Sequence, residues 1–162
     1  TAHRQTDGAA PEETIVPRDT SPESPADVPT ELPTVRYQQT DARLTYLGEW
    51  GVSSTWSASG GSYRYTASRG AAALVYFDGT SIALIAKTCP WYGKAFVSLD
   101  DGEREEVDLY SATTLWKQKV WDTGTLDSGI HTVKIEWTGT KNAKATGKNI
   151  SVDAFDVVGS LN

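Results

Sequence analysis

Cysteine is almost absent from this chain, Cys89 standing alone among 162 residues, and methionine is missing altogether. A single thiol excludes an internal disulfide and a cysteine-built zinc cluster, and leaves a buried thiol or an intermolecular bridge. Histidine is scarce too, with His3 and His131 the only two, so a histidine-rich metal site or a serine triad has one imidazole to build on outside the first few residues. No run of about 18 apolar residues occurs and no charged-then-apolar segment opens the chain, so neither membrane insertion nor an export signal is expected within it.

Aromatic residues are lacking before Arg36, where six of the seven prolines fall together with seven acidic residues and two arginines. Such a segment cannot bury enough apolar surface to offset its ordering entropy, so residues 1–35 are expected to form an acidic, polyproline-leaning tether. Residues 36–162 are expected to form the folded domain. The tether holds most of the net charge of −6, which leaves the remainder close to neutral. An excess of basic residues is therefore absent, and neither nucleic acid nor an anionic lipid surface is an expected partner.

What is present is a two-residue hydrophobic rhythm. From Ser62 onward apolar residues recur at alternate positions: Tyr63 and Tyr65, then Ala71, Ala73, Val75 and Phe77, then Ile82, Leu84 and Ala86, then Ala95, Val97 and Leu99. That is the period of strands with one buried face. Asp78-Gly79 and Asp101-Gly102 accept positive φ and predict tight hairpins between antiparallel neighbours. Further strands are expected at 103–109, 117–122, 130–137 and 150–158, with shorter ones near Arg36 and Leu44. No long helix is expected. Eight to ten short strands with glycine turns point to an all-β, antiparallel β-sandwich or jelly roll, a closed barrel being the alternative.

Catalytic motifs are missing. There is no G-x-S-x-G elbow, no H-E-x-x-H pair and no Walker-type loop, and His131 shares a strand face with Val133, Ile135 and Trp137, the position of a hydrogen-bonded core residue. The carboxylate pairs Asp100/Asp101 and Glu105/Glu106 fall in a hairpin and on a strand, as solvated surface does. No enzymatic activity is expected.

Six tryptophans and seven tyrosines outnumber three phenylalanines, which favours rings with an apolar face and a polar edge. A pyranose stacks its C–H patch on such a ring while its hydroxyls seek neighbouring polar groups. Trp91 and Tyr92, in a Pro-Trp-Tyr-Gly loop flanked by Lys87 and Lys94, are the first candidates for a ligand site. Trp56, in a Ser/Gly-rich connection, and Trp116, in the loop before Lys117, come next. Trp50, Trp121 and Trp137 lie in or beside strands and are expected in the core. Asp153 and Asp156, with Asp41 or Glu49, could offer oxygen ligands to a structural calcium, Asp153 with Asp41 being the leading pair. Asn149-Ile150-Ser151 matches a glycosylation sequon at the start of a strand.

The order of short motifs resembles a known group. Tyr46-Leu-Gly-Glu-Trp50, Gly60-Gly-Ser-Tyr-Arg-Tyr65, Phe77-Asp-Gly-Thr-Ser-Ile82, Tyr92-Gly-Lys-Ala-Phe-Val97 with Leu99-Asp-Asp-Gly102, Val107-Asp-Leu-Tyr-Ser111, Gly129-Ile-His-Thr-Val133, Thr138-Gly-Thr-Lys-Asn142 and Val152-Asp-Ala-Phe-Asp156 together look like the galactose-binding-like jelly rolls appended to secreted bacterial, especially actinobacterial, enzymes and surface proteins. The pattern is also similar to the ancillary domain of some carbohydrate esterases and, more distantly, to calcium-bearing carbohydrate-binding modules. The resemblance implies a non-catalytic module that is secreted or at the cell surface, part of a larger multidomain chain, with a polysaccharide or oligosaccharide as partner. Cys89-Pro90-Trp91 departs from the small polar residues of that group. The competing expectation is a structural or protein-interaction domain whose tryptophans all belong to the core.

Overall fold

The computed structural model describes residues 32–162. The acidic tether expected over residues 1–35 falls almost wholly outside the described residues, and the first strand begins at Thr34. The strands are β1 (Thr34–Gln38), β2 (Thr45–Leu47), β3 (Gly51–Ser54), β4 (Ser62–Thr66), β5 (Ala72–Thr88), β6 (Lys94–Leu99), β7 (Arg104–Asp108), β8 (Leu115–Asp122), β9 (Gly129–Trp137), β10 (Ile150–Val152) and β11 (Ala154–Leu161), with a single 3-10 turn at Ser59–Gly61. One sheet runs β1-β11-β5-β9-β6-β7 with β2 and β8 also paired to β5, and a second runs β10-β4-β3. The architecture is an antiparallel β-sandwich, as the two-residue rhythm predicts, and not a closed barrel. No helix among the described residues is long and apolar enough to cross a membrane.

Asp78-Gly79 is not the hairpin the sequence suggests. β5 continues through it as a strand of 17 residues, pairing β9 over Ala72–Gly79 and β8 over Ala83–Thr88. The buried positions change parity along β5, from Ala73, Val75 and Phe77 to Ile82, Leu84 and Ala86. A turn would produce that change, and so does one extra residue in the ladder. Opposite the Val158/Gly159 step, β5 holds Thr80 unpaired, a bulge that swaps the faces without ending the strand. Gly79 and Gly159 (φ 134°) meet there so closely that a Cβ on either would overlap a backbone oxygen of the other strand.

Three further expectations change. β3 lies in what reads as a Ser/Gly-rich connection. The expected strand over 150–158 divides at Asp153, β10 pairing β4 and β11 pairing β1 and β5. Trp116 is inside β8, not in a loop before it.

The core is filled from both sheets by residues such as Val75, Phe77, Leu84, Val97, Ile135, Ile150 and Phe155, each no more than 1% exposed. Fully burying side chains of this size stabilises by about 1.5–3 kcal/mol apiece. Trp121 belongs to this cluster, and Trp50 and Trp137 pack against it, in keeping with their positions in or beside strands. At the β6–β7 hairpin Asp100 (φ 51°) and Asp101 (φ 56°) are both left-handed, and Gly102 N–H donates to the Leu99 carbonyl at 2.9 Å. Those are the angles of a turn whose twist matches the flanking strands.

Candidate functional site

Lys87 follows the buried run Ile82–Ala86 on β5 and is itself only 6% exposed. Its backbone is fixed to β10, Lys87 N–H donating to Ser151 Oγ (3.1 Å) and Ser151 Oγ donating to Lys87 O (2.9 Å). Its ammonium faces four rings: Trp116 at 4.6 Å from the centroid, Trp91 at 5.0 Å, Tyr63 at 5.1 Å and Tyr92 at 5.4 Å. It also donates to the Tyr63 hydroxyl at 3.2 Å. Ring faces offset part of the hydration that a buried ammonium loses, which helps a lysine occupy this depth.

The four rings arrive from three elements: Tyr63 from β4, Trp116 from β8, and Trp91 with Tyr92 from the 89–93 turn. Trp116 is brought in by a bulge: between the pairs Ala86–Gln118 and Thr88–Leu115, β5 has Lys87 alone while β8 has Trp116 and Lys117. Lys117 takes the left-handed φ of 53°, and the kink turns Trp116 onto Tyr63, ring centroids 5.6 Å apart. Trp91 stands on the 89–93 turn. Cys89 N–H donates to Leu109 O (3.2 Å), Gly93 N–H to Asn149 O (2.7 Å), and Thr146 N–H to Pro90 O (2.9 Å). A Cβ at Gly147 would come within 2.6 Å of the Trp91 carbonyl oxygen, so the 138–149 segment lies directly against the turn.

The Tyr63 and Tyr92 hydroxyls shift in opposite directions. Burial would raise the Tyr63 hydroxyl, but hydrogen bonds from Tyr92, Lys87 and Ser53 outweigh it and hold it below the ordinary phenol range. Burial, reinforced by its bond to Tyr63, pushes Tyr92 far above that range. Burial also raises the Cys89 thiol, which is fully covered and poorly suited to nucleophilic chemistry.

The structure therefore brings Lys87, Trp91, Tyr92 and Trp116 together. Their accessibility differs: Trp91 is 44% exposed and Trp116 half-buried, whereas Tyr92 is 1% exposed and supports the cluster from within the core. Lys94 turns away to an ion pair with Glu106 at 2.7 Å. Trp56 is not among the rings around Lys87. It stands 91% exposed on the β3–β4 connection, which Thr55 N–H to Gly61 O (2.9 Å) and Ser59 N–H to Asp153 Oδ2 (3.0 Å) hold in shape. Tyr63 and Lys117 are the members that sequence reasoning missed. A lysine ending an otherwise apolar buried run was the available signal for the cluster.

Asp41 and Asp153 have separate surroundings. Both oxygens of Asp41 accept from the Arg43 guanidinium, at 2.9 and 2.8 Å. Asp153 is fully buried, and burial raises its carboxyl above the usual carboxylate range. Its Oδ1 has no hydrogen-bond partner, nor does Gln38 Oε1. Both residues meet the Ser59-Gly60 step, Asp153 by its bond to Ser59 and Gln38 by packing against Gly60. Two orphaned oxygens of this kind fit an oxygen-seeking cation, although no group of three or more His, Cys, Asp or Glu side chains converges among the described residues.

His131 offers no free base. Its Nδ1 is 2.7 Å from Asp100 Oδ2 and its Nε2 is 2.8 Å from the Asp127 carbonyl oxygen. An open groove of about 360 Å³ crosses the outer face of β11, β5 and β8, lined by Ser81, Ala83, Lys119, Asp122 and Asp156 among others and by no aromatic ring. The two surfaces are chemically distinct: the 89–93 end has rings, the groove does not.

No family model matches this chain, and no curated protein matches it. Solved structures do. A Paenibacillus xanthan lyase is similar at a TM-score of 0.57 and 15% identity, over 82% of this chain and 14% of that one. An exo-β-1,3-galactanase from Phanerochaete chrysosporium crystallised with β-1,3-galactotriose is similar at 0.53 and 17%, over 76% and 29%. A family two carbohydrate esterase from Cellvibrio japonicus is similar at 0.54 and 12%, over 80% and 34%. At these identities the likeness concerns the fold, and this chain spans only about a seventh to a third of those proteins' lengths.

Proposed function

We propose that residues 32–162 act as a non-catalytic carbohydrate-binding module of an extracellular bacterial protein, holding a partner domain on a polysaccharide by raising its effective concentration there. The observation that carries this is the Trp91 ring, 44% exposed yet fixed by the hydrogen-bonded 89–93 turn and by Lys87 beneath it. A ring held rigid and half in water can stack on a pyranose without ordering cost. Trp116 adjoins it, and Trp56 offers a second exposed ring. The fold's occurrence within a xanthan lyase, a galactanase and a carbohydrate esterase supports the same reading. So does the engagement of both His131 nitrogens, which leaves that imidazole no part as a general base.

Calcium enters the proposal at one point. Asp153 Oδ1 and Gln38 Oε1 would be its protein oxygens, and Asp41 would stay with Arg43. Bound there, the ion would neutralise a buried carboxylate and pin the 55–61 connection that carries Trp56.

The test is affinity electrophoresis of the full chain through gels containing a panel of plant and bacterial polysaccharides. The parent is expected to be retarded by at least one, and Trp91→Ala to lose that retardation while keeping its cooperative thermal melting. Equal retardation of the two would remove Trp91 from the site. The second reading, a structural or protein-interaction domain, is favoured by the fact that the ring cluster is already filled by the chain's own Lys87; it predicts no retardation by any polysaccharide.

A further inference from the structure

The basic residues fall into two sets. Arg36, Arg43, Lys94, Arg104, Lys119 and Lys134 each pair with a carboxylate. Lys87, Lys117, Lys141, Lys144 and Lys148 pair with none among the described residues, and these five belong to the segments that meet at Trp91. Lys87 is beneath its ring. Lys117 is in the bulge that presents Trp116. The other three are exposed on the 138–149 segment, which touches the turn through Thr146 and Gly147. Outside this group Arg64 lies over the Tyr46 ring, 4.1 Å from its centroid, and Arg69 is on the β4–β5 turn.

Acidic residues are few in the same places, the exceptions being Asp153, which is fully buried and within electrostatic reach of Lys117, and Asp108. No Asp or Glu occurs in 52–66, 82–99, 109–121 or 137–152. Asp108 reaches the 138–149 segment through Asn142 Nδ2 (2.8 Å) and also accepts from Tyr110 N–H (2.9 Å), so it is one exposed negative charge beside three lysines. The β6–β9 register sets Leu99 beside Val133 and Ala95 beside Trp137, and Asp78 pairs with Ile130. Asp78, Asp100, Asp101, Glu103 and Asp127 therefore gather toward the opposite end of these strands. In a chain of net charge −6, the end bearing Trp91 is the basic one.

Resting on the carbohydrate reading above, we infer that this end takes an anionic glycan, a polymer whose sugar units carry carboxylate or phosphate groups. Trp91 stacks on the ring, and Lys117, Lys144 and Lys148 meet the charge. Lys87 supports this independently of the surface lysines. It is more than nine-tenths buried, its one hydrogen-bond acceptor is the Tyr63 phenol, and no carboxylate of the described chain neutralises it. An anion seated beside Trp91 would complete its surroundings, and a site built around an unneutralised ammonium favours a charged ligand over a neutral one.

The full chain is run in affinity gels with polygalacturonate (carboxylate), a polyol-phosphate cell-wall polymer (phosphate), a neutral galactan and a neutral mannan, and poly-glutamate as an anion without sugar. Binding to one of the two anionic glycans is expected, about tenfold weaker in Trp91→Ala, several-fold weaker in Lys144→Gln/Lys148→Gln, and weaker again at about 0.5 M salt, where the Debye length is only a few ångströms. Whichever arm binds identifies the anion. Salt-insensitive, Trp91-dependent binding to the neutral polymers alone overturns this inference and leaves the carbohydrate reading standing. Equal binding of poly-glutamate, indifferent to Trp91→Ala, overturns both, as does a failure to bind any polymer.

Discussion

The Lys87 ammonium lies 4.6 Å from the centre of the Trp116 indole, and the two are opposite each other because β8 carries one residue more than β5 at that point. Three other rings close around the same cation. Lys87→Met keeps most of the side-chain volume and deletes the charge, and it is expected to cost about 1–2 kcal/mol, the scale of a desolvated cation–π contact. Urea titration measures the loss, and a rise in acrylamide quenching that disappears in a Trp116→Phe background would report that the indole has come loose. Unchanged stability would show that the rings pack equally well on a neutral chain.

The bulge that delivers Trp116 forces Lys117 to a φ of 53°, where a Cβ costs about 1–2 kcal/mol. Lys117→Gly relieves that strain at the expense of about 0.5–1 kcal/mol in unfolded-chain entropy. A net gain of roughly 0.5–1 kcal/mol is expected. Lys117→Val, stiffer at the same angle, is expected to destabilise. Denaturant midpoints of the three proteins rank them.

Gly159→Ala is expected to be severe. Its Cβ would overlap the Asp78 carbonyl oxygen, and neither backbone can retreat while β5 remains paired on both sides. The clash and the strained φ together cost about 3 kcal/mol or more. Thermal melting of Gly159→Ala beside Gly124→Ala, a position with open space around it, separates the clash from the generic effect of losing a glycine.

The Asp100 carboxylate holds the imidazole of His131 above its ordinary value, helped by the Asp127 carbonyl. A raised folded pKa means that this stabilisation is complete below the unfolded histidine value near 6.5 and is lost as pH climbs through the folded one. Asp100 is partly desolvated, but hydrogen bonds from His131 and Thr132 lower its carboxyl, so its contribution fades only in strong acid. Between about pH 5 and 8 the melting temperature is expected to fall with rising pH in the parent and to lose that slope in His131→Gln. Parallel profiles would mean that the two groups are not coupled.

Calcium at about millimolar concentration, the range of extracellular modules, is expected to raise the melting temperature of the parent, EDTA to reverse the rise, and Asp153→Asn to abolish it. A parent indifferent to both additions would show that Asp153 Oδ1 and Gln38 Oε1 hold no ion.

Alternation alone located most of the sandwich, because strands such as β6 and β9 bury one face and expose the other. It misread β5 because a bulge and a hairpin leave the same trace: both invert which positions are apolar, and only the partner strand, with Gly159 against Gly79, tells them apart. The division at Asp153 was illegible for a related reason, since Val152 and Ala154 are both buried although they serve different sheets. Within the site, Trp91 and Lys87 could be nominated from their neighbours in the chain. Tyr63 could not, because its tie to Lys87 spans 24 residues and nothing local distinguishes it from Tyr65. Trp116 was named for a loop it does not occupy, and it reaches the cluster through the left-handed Lys117, which no turn motif announces.

β1 and β11 are antiparallel, with Thr34 opposite Val158, so the segments entering and leaving the sandwich do so at the same end of one ladder. Tension applied through them loads Thr34–Val158 on the β1 side and Asn162–Tyr76 and Leu161–Phe77 on the β11 side first, and then opens the β1–β11 ladder rung by rung. A sandwich so arranged peels under modest pull.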